Sequence, residues 1–154
     1  MQPMLNWIVT RVPFLLPVGL VFAVATPAAA QGPGIRGGVS ISPDQGFFGA
    51  HYETTPLVDR LHFRPNIEVG LGDDVTTTAL NMEFVYKFPA RSPWGVYAGG
   101  GPAVNFYSFD NDTITEGGVN FMVGVENSSG LFFEVKVGAV DSPDVKFGVG
   151  WTFK

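Results

Sequence analysis

The chain has 154 residues, 45% hydrophobic and 15% charged, with a formal net charge of −5, 20 Gly, 12 Pro and no Cys. That length suits one domain, and the composition excludes both a disordered chain and an ordinary helical domain. The lack of Cys excludes a disulfide scaffold and a thiolate metal site, and the lack of any Lys/Arg-rich run argues against nucleic acid as a partner.

The chain begins with an export-type segment. A single base, Arg11, precedes the apolar run Val12 to Ala25, and Thr26-Pro27-Ala28-Ala29-Ala30 supplies a small-residue cleavage site. Residues 1–30 therefore read as a signal peptide and 31–154 as the mature domain. The rival reading is a permanent membrane helix. The run falls short of the roughly 20 apolar residues a span needs, and Pro13 and Pro17 weaken it as a helix.

From Gly34 onward the period is two rather than 3.6. Eight alternating segments are predicted, at 34–41, 46–54, 61–71, 76–88, 94–107, 117–126, 131–140 and 145–153. The last is the clearest: Val145, Phe147, Val149, Trp151 and Phe153 alternate with Lys146, Gly148, Gly150 and Thr152. Short connections predict an up-and-down antiparallel meander, and an even strand number puts both chain ends on one side of a closed barrel. Pro65 and Pro102 fall inside segments, so a bulge or kink is expected at each, above all at Gly99-Gly100-Gly101-Pro102.

Alternation alone fits a membrane barrel or a soluble lipocalin-like one, and volume separates them. The apolar face carries about thirty residues, many of them large, and an eight-stranded barrel has an interior just wide enough for its side chains. The opposite face mixes charges with Gly38, Gly49, Gly70, Gly99, Gly101, Gly124, Gly138, Gly148 and Gly150, which a narrow lumen can hold. The apolar face is therefore expected to look outward, toward lipid.

On the inferred inner face lie Arg36, Arg64, Lys87, Lys136 and Lys146 against Glu53, Glu68, Glu83, Glu126 and Glu134. Five bases against five acids is the balance a closed polar interior needs, because buried charges must be paired. These ten are expected to form a structural ion-pair network that plugs the lumen. With the N-terminus periplasmic, the outer loops are 42–45, 72–75, 108–116 and 141–144. They hold Asp44, Asp73, Asp74, Asp110, Asp112, Glu116, Asp141 and Asp144 and no base. Asp59, Arg60, Arg91 and Lys154 sit at the other end, near an interfacial girdle of Tyr86, Phe88, Trp94, Trp151 and Phe153.

The Gly/aromatic meander after a signal, the stretch VYAGGGPAVNFY and the final VKFGVGWTF resemble the small outer-membrane β-barrels of the outer-membrane-protein-A-like and opacity-protein-like kind. The resemblance covers roughly residues 34 to 154. It implies a closed eight-stranded transmembrane barrel in a bacterial outer membrane, in contact with outer-membrane lipid and lipopolysaccharide. Members commonly end on an aromatic residue read by the outer-membrane insertion machinery; here Phe153 is next to last, before Lys154.

Some barrels of this architecture act on lipid A, which makes catalysis a rival class. The histidines are His51 and His62, and the His-x-Ser pair of the familiar barrel deacylase does not occur. A nucleophile within reach of a base is not evident, and both histidines read as lumen hydrogen-bonders. Asp110 to Glu116 lacks the length and central Gly of an EF-hand loop and reads as a solvated acidic loop. No cofactor is expected, and the predicted role is structural or surface-interacting. The alternatives are a lipid-modifying enzyme and a soluble exported ligand binder.

Overall fold

The computed structural model describes the backbone from Ala30 to Lys154 and the side chains from Gly32 onward. Apart from Ala30, the expected signal peptide lies outside the described residues. Eight strands follow in order: β1 (Ala30–Ile41), β2 (Gln45–Thr54), β3 (Leu61–Leu71), β4 (Thr76–Lys87), β5 (Trp94–Ser108), β6 (Thr113–Asn127), β7 (Leu131–Val140) and β8 (Val145–Thr152). Their Val, Phe, Tyr and Thr content suits a pleated surface with unlike faces. Each strand pairs antiparallel with the next, and β1 closes onto β8 from Gly34↔Thr152 to Ile41↔Val145. Closure leaves no free edge strand. The turns at 42–44, 72–75, 109–112 and 141–144 share one end, and both described chain ends lie at the other.

The two faces are sharply different. Phe132 is fully buried while its neighbour Phe133 is 47% exposed, and the same alternation leaves Ile35, Phe48, Met82, Phe121 and Val123 more than half exposed. The exterior is the oily face. Inside, charged and amide side chains surround a small apolar cluster of Val85, Tyr97, Met122 and Phe132, with Phe47, Ala79 and Ala103 buried apart from it.

Neither proline introduces a bulge. β3 pairs with β4 without a break through Pro65↔Met82, and its ladder to β2 ends one residue earlier, at His51↔Asn66. Pro65 thus lies where β2 no longer pairs with β3. There the Thr54 side chain takes over, its Oγ1 accepting from the Phe63 N–H at 3.0 Å. Pro102 lies where the β4–β5 ladder is interrupted between Asn81↔Ala103 and Phe84↔Gly100, with the same register on both sides. Its ladder to β6 runs through Pro102↔Val119 unbroken. The inward glycines explain how the strands stay aligned: a Cβ at Gly99 or Gly101 would collide with the carbonyl oxygen of Phe84 or Met82. The β4–β5 ladder thus pauses at Pro102 without a register shift.

Two loops also differ from expectation. The loop anticipated at 108–116 shrinks to Phe109–Asp112, because Thr113, Ile114 and Thr115 pair with Ser108, Tyr107 and Phe106 and extend β6. The segment Asp141–Asp144 does not simply project outward: Ser142 and Pro143 are buried in the mouth of the barrel.

Candidate functional site in the barrel lumen

Inward positions recur at every second residue, so each strand delivers its charges to the axis at a height set by the register. Toward the end that carries the chain termini, Glu53 on β2 accepts from Arg64 on β3, with Nη2 at 2.8 Å and Nε at 3.1 Å from Oε2. Its other oxygen accepts from Lys87 on β4. Lys87 also reaches Glu126 on β6 at 2.9 Å. His62 lies beside this group, its Nδ1 2.8 Å from the carbonyl oxygen of Thr54.

Further along the axis, Arg36 on β1 places Nη1 at 3.0 Å from Glu134, 3.3 Å from Glu68 and 3.6 Å from Glu83. Lys136 on β7 donates to Glu83 at 2.5 Å and to Glu68 at 3.0 Å. Lys146 on β8 takes the second oxygen of Glu68 at 2.7 Å. All six of these side chains are less than one-tenth exposed.

Arg64 joins the two groups. Its Nη1 lies 3.6 Å from Glu134, and its Cζ sits 4.8 Å over the Tyr97 ring and 5.3 Å from the centre of Phe132. The Tyr97 hydroxyl donates to Glu134 Oε2 at 2.8 Å. Phe132 also meets Arg36, at 5.5 Å, so one ring stands against two guanidinium groups. Its quadrupole face attracts both cations. Three glycines clear the space: a Cβ at Gly124 would overlap the Tyr97 phenol, at Gly150 the Phe132 ring and at Gly34 the His51 ring.

Beside the ions runs an uncharged strip. Asn81 donates to Asn66 at 2.7 Å and Asn120 donates to Asn81 at 2.8 Å. The second bond spans from β6 to β4 because β5 presents only Gly101 and Ala103 between them.

The chemistry open to this site is limited by its geometry. His51 Nε2 lies 2.9 Å from Thr152 Oγ1, but its Nδ1 faces Arg36 Nε at 3.5 Å. A base needs an acceptor there to hold it, not a cation. Each of the five lumen carboxylates lies against Lys or Arg groups, and among the described residues no group of three His, Cys, Asp or Glu could hold a metal ion.

No protein-family model matches the sequence, and no curated protein does. Among solved structures, the crystal structure of the N-terminal β-barrel domain of Pseudomonas aeruginosa OprF is similar, with a TM-score of 0.58 at 13% identity. The match covers 79% of this chain and 96% of that one. The chain shares that barrel's fold. At this identity the likeness carries the architecture, and the lumen of this chain stands on its own side chains.

The ten charged residues singled out by alternation all project inward and are joined by contacts within 4.0 Å. Three further members are not evident from the alternation of charges. Lys154, expected among the charges of the barrel end, turns inward and reaches Glu126 at 2.7 Å. It shares the even parity of Lys146 and Thr152, which was the available signal. Tyr97 shares the parity of Gly99 and Gly101, and Phe132 that of Glu134 and Lys136. Both are aromatic, and their place in an ionic interior follows from the cations that stack on them and, for Tyr97, from its bond to Glu134.

Proposed function

We propose that the protein is an integral β-barrel of the bacterial outer membrane, non-catalytic, with a structural or surface-interaction role and a lumen occluded by its ion-pair network. The observation that carries this reading is the inversion of faces. Phe48, Phe121 and Val123 are turned out and more than half exposed, while Glu53, Arg64 and Glu83 are fully buried. A water-soluble barrel would have the opposite arrangement, and its exterior would aggregate. An apolar band facing hydrocarbon and a paired polar interior is the arrangement a membrane barrel requires. Likeness to the OprF barrel agrees with it.

The ends support the same placement. Tyr86 packs edge-on against Phe88 at 5.2 Å and Trp94 lies 6.2 Å from Phe133, forming aromatic pairs near the termini. Trp and Tyr favour the water–lipid interface. The opposite rim bears acids and no base, which suits an anionic lipopolysaccharide leaflet only through bridging divalent cations. Lys154 folds inward to Glu126, while Phe153 beside it is turned out and 51% exposed.

Fractionation with gel mobility tests the reading. The protein is expected in outer-membrane fractions, extracted only by detergent, and migrating differently before and after boiling. Val123→Arg, which points a cation outward, should cost about 2–4 kcal/mol in a bilayer if it lies near the midplane. Recovery as a soluble periplasmic protein, with Val123→Arg neutral, would end the proposal.

A further inference from the structure

The barrel wall is incomplete at the end away from the chain termini. The β7–β8 ladder stops at Val137↔Val145, where β8 begins, whereas β7 runs three residues further beside β6, to Val140↔Gly118. Between these limits the chain leaves the wall. Val140 takes a left-handed backbone, φ 63°, which a β-branched residue adopts only under constraint, and the chain then turns into the mouth.

What receives it is a seat cut by two glycines. A Cβ at Gly118 would overlap Ser142 Oγ, and a Cβ at Gly138 would overlap the carbonyl oxygen of Pro143. Ser142 is 7% exposed, in contrast to Asp141 and Asp144 on either side of the buried pair, which are exposed. Few bonds hold the segment. Asn105 donates to the Asp141 carbonyl at 3.0 Å and to Ser142 Oγ at 3.3 Å, Tyr107 donates to the same carbonyl at 3.1 Å, and the Gly138 N–H donates to the Asp144 carbonyl at 3.1 Å. Asp141 and Asp144 make no ion pair among the described residues.

We propose that Asp141–Asp144 is a movable stopper for this mouth of the lumen. It is seated by the missing side chains of Gly118 and Gly138 and released without unfolding the barrel. Eight antiparallel ladders hold the wall, whereas this segment is held by side-chain and single backbone hydrogen bonds, which places it at the low end of local stability. The next inward residues on the strands around the seat are Asn120, Lys136 and Lys146. Release of the stopper therefore opens the ion-pair network to solution from that end.

The chain lacks cysteine, so single introduced thiols report cleanly. In the refolded barrel, Ser142→Cys should react with a charged thiol reagent slower than Asp144→Cys by about an order of magnitude. Adding Gly138→Ala or Gly118→Ala to Ser142→Cys should raise its rate to that of Asp144→Cys while heat-modifiable mobility persists. Adding Gly148→Ala should change nothing, since a Cβ there meets only ordinary contacts, the nearest at 3.4 Å. If either glycine variant disrupts the barrel, Asn105→Ala with Tyr107→Phe releases the segment without added bulk, and the rate should again rise. Equal labelling of Ser142→Cys and Asp144→Cys in the parent barrel would overturn the proposal. So would slow labelling that persists in all the releasing variants.

Discussion

The guanidinium of Arg64 lies 4.8 Å over the ring of Tyr97, and the two converge on one carboxylate, Glu134. Tyr97→Phe keeps the stacked ring and removes only the hydroxyl that donates to Glu134 Oε2 at 2.8 Å. A hydrogen bond to a charged group contributes about 1.5–3 kcal/mol. The urea midpoint of Tyr97→Phe should fall by a matching amount, and Arg64→Lys should fall further because it also loses the planar fork and the ring contacts.

Removal of a lumen acid should expose how its partners are shared. Glu134→Ala leaves Arg36 and Arg64 without their common acceptor, whereas Glu83→Ala leaves Lys136 still bound to Glu68 at 3.0 Å. Breaking a buried pair from one side costs about 3–5 kcal/mol. Both variants should lose urea resistance, with Glu134→Ala losing more. No change in either would remove the network from any account of stability.

Depth in the lumen should separate two lysines that make equally short contacts. Lys146 and Lys154 each lie 2.7 Å from a carboxylate, but the Lys146 side chain is 7% exposed and that of Lys154 is 37% exposed. Solvent screening holds exposed pairs to about 0–1 kcal/mol. Thermal unfolding of Lys154→Ala should therefore be nearly unchanged, and that of Lys146→Ala clearly lowered.

Glycine replacements should divide by what a methyl group meets. Gly101→Ala drives Cβ into the Met82 carbonyl and should destabilise by about 1–3 kcal/mol, as overpacking does. Gly46 has nothing within 4 Å of that position and no left-handed φ, so Gly46→Ala should gain about 0.5–1 kcal/mol by restricting the unfolded chain. Equal effects from the two would mean that the inward glycines do not set strand spacing.

The strands and their facing were legible because a period of two is imposed by the backbone and needs no knowledge of partners. Arg36 and Lys136 could be sent inward from parity alone. That Lys136 meets Glu83 across the lumen, three strands away, depends on the stagger between strands, which alternation does not encode. Pro65 and Pro102 suggest a bulge when the missing N–H is considered alone, whereas the ladders simply end or pause beside them. The inward turn after Val140 left no trace, since periodicity stops where the chain departs from the wall.

The two-residue period has a further consequence for how such a chain can change in length. Loss of Phe133 alone would slide the rest of β7 by one place, sending Glu134 and Lys136 out and drawing Val135 and Val137 in. Turns such as Thr55–Arg60 carry no such parity and can lengthen freely. Descendants of this sequence should therefore vary in their connections, and within strands gain or lose residues only in pairs.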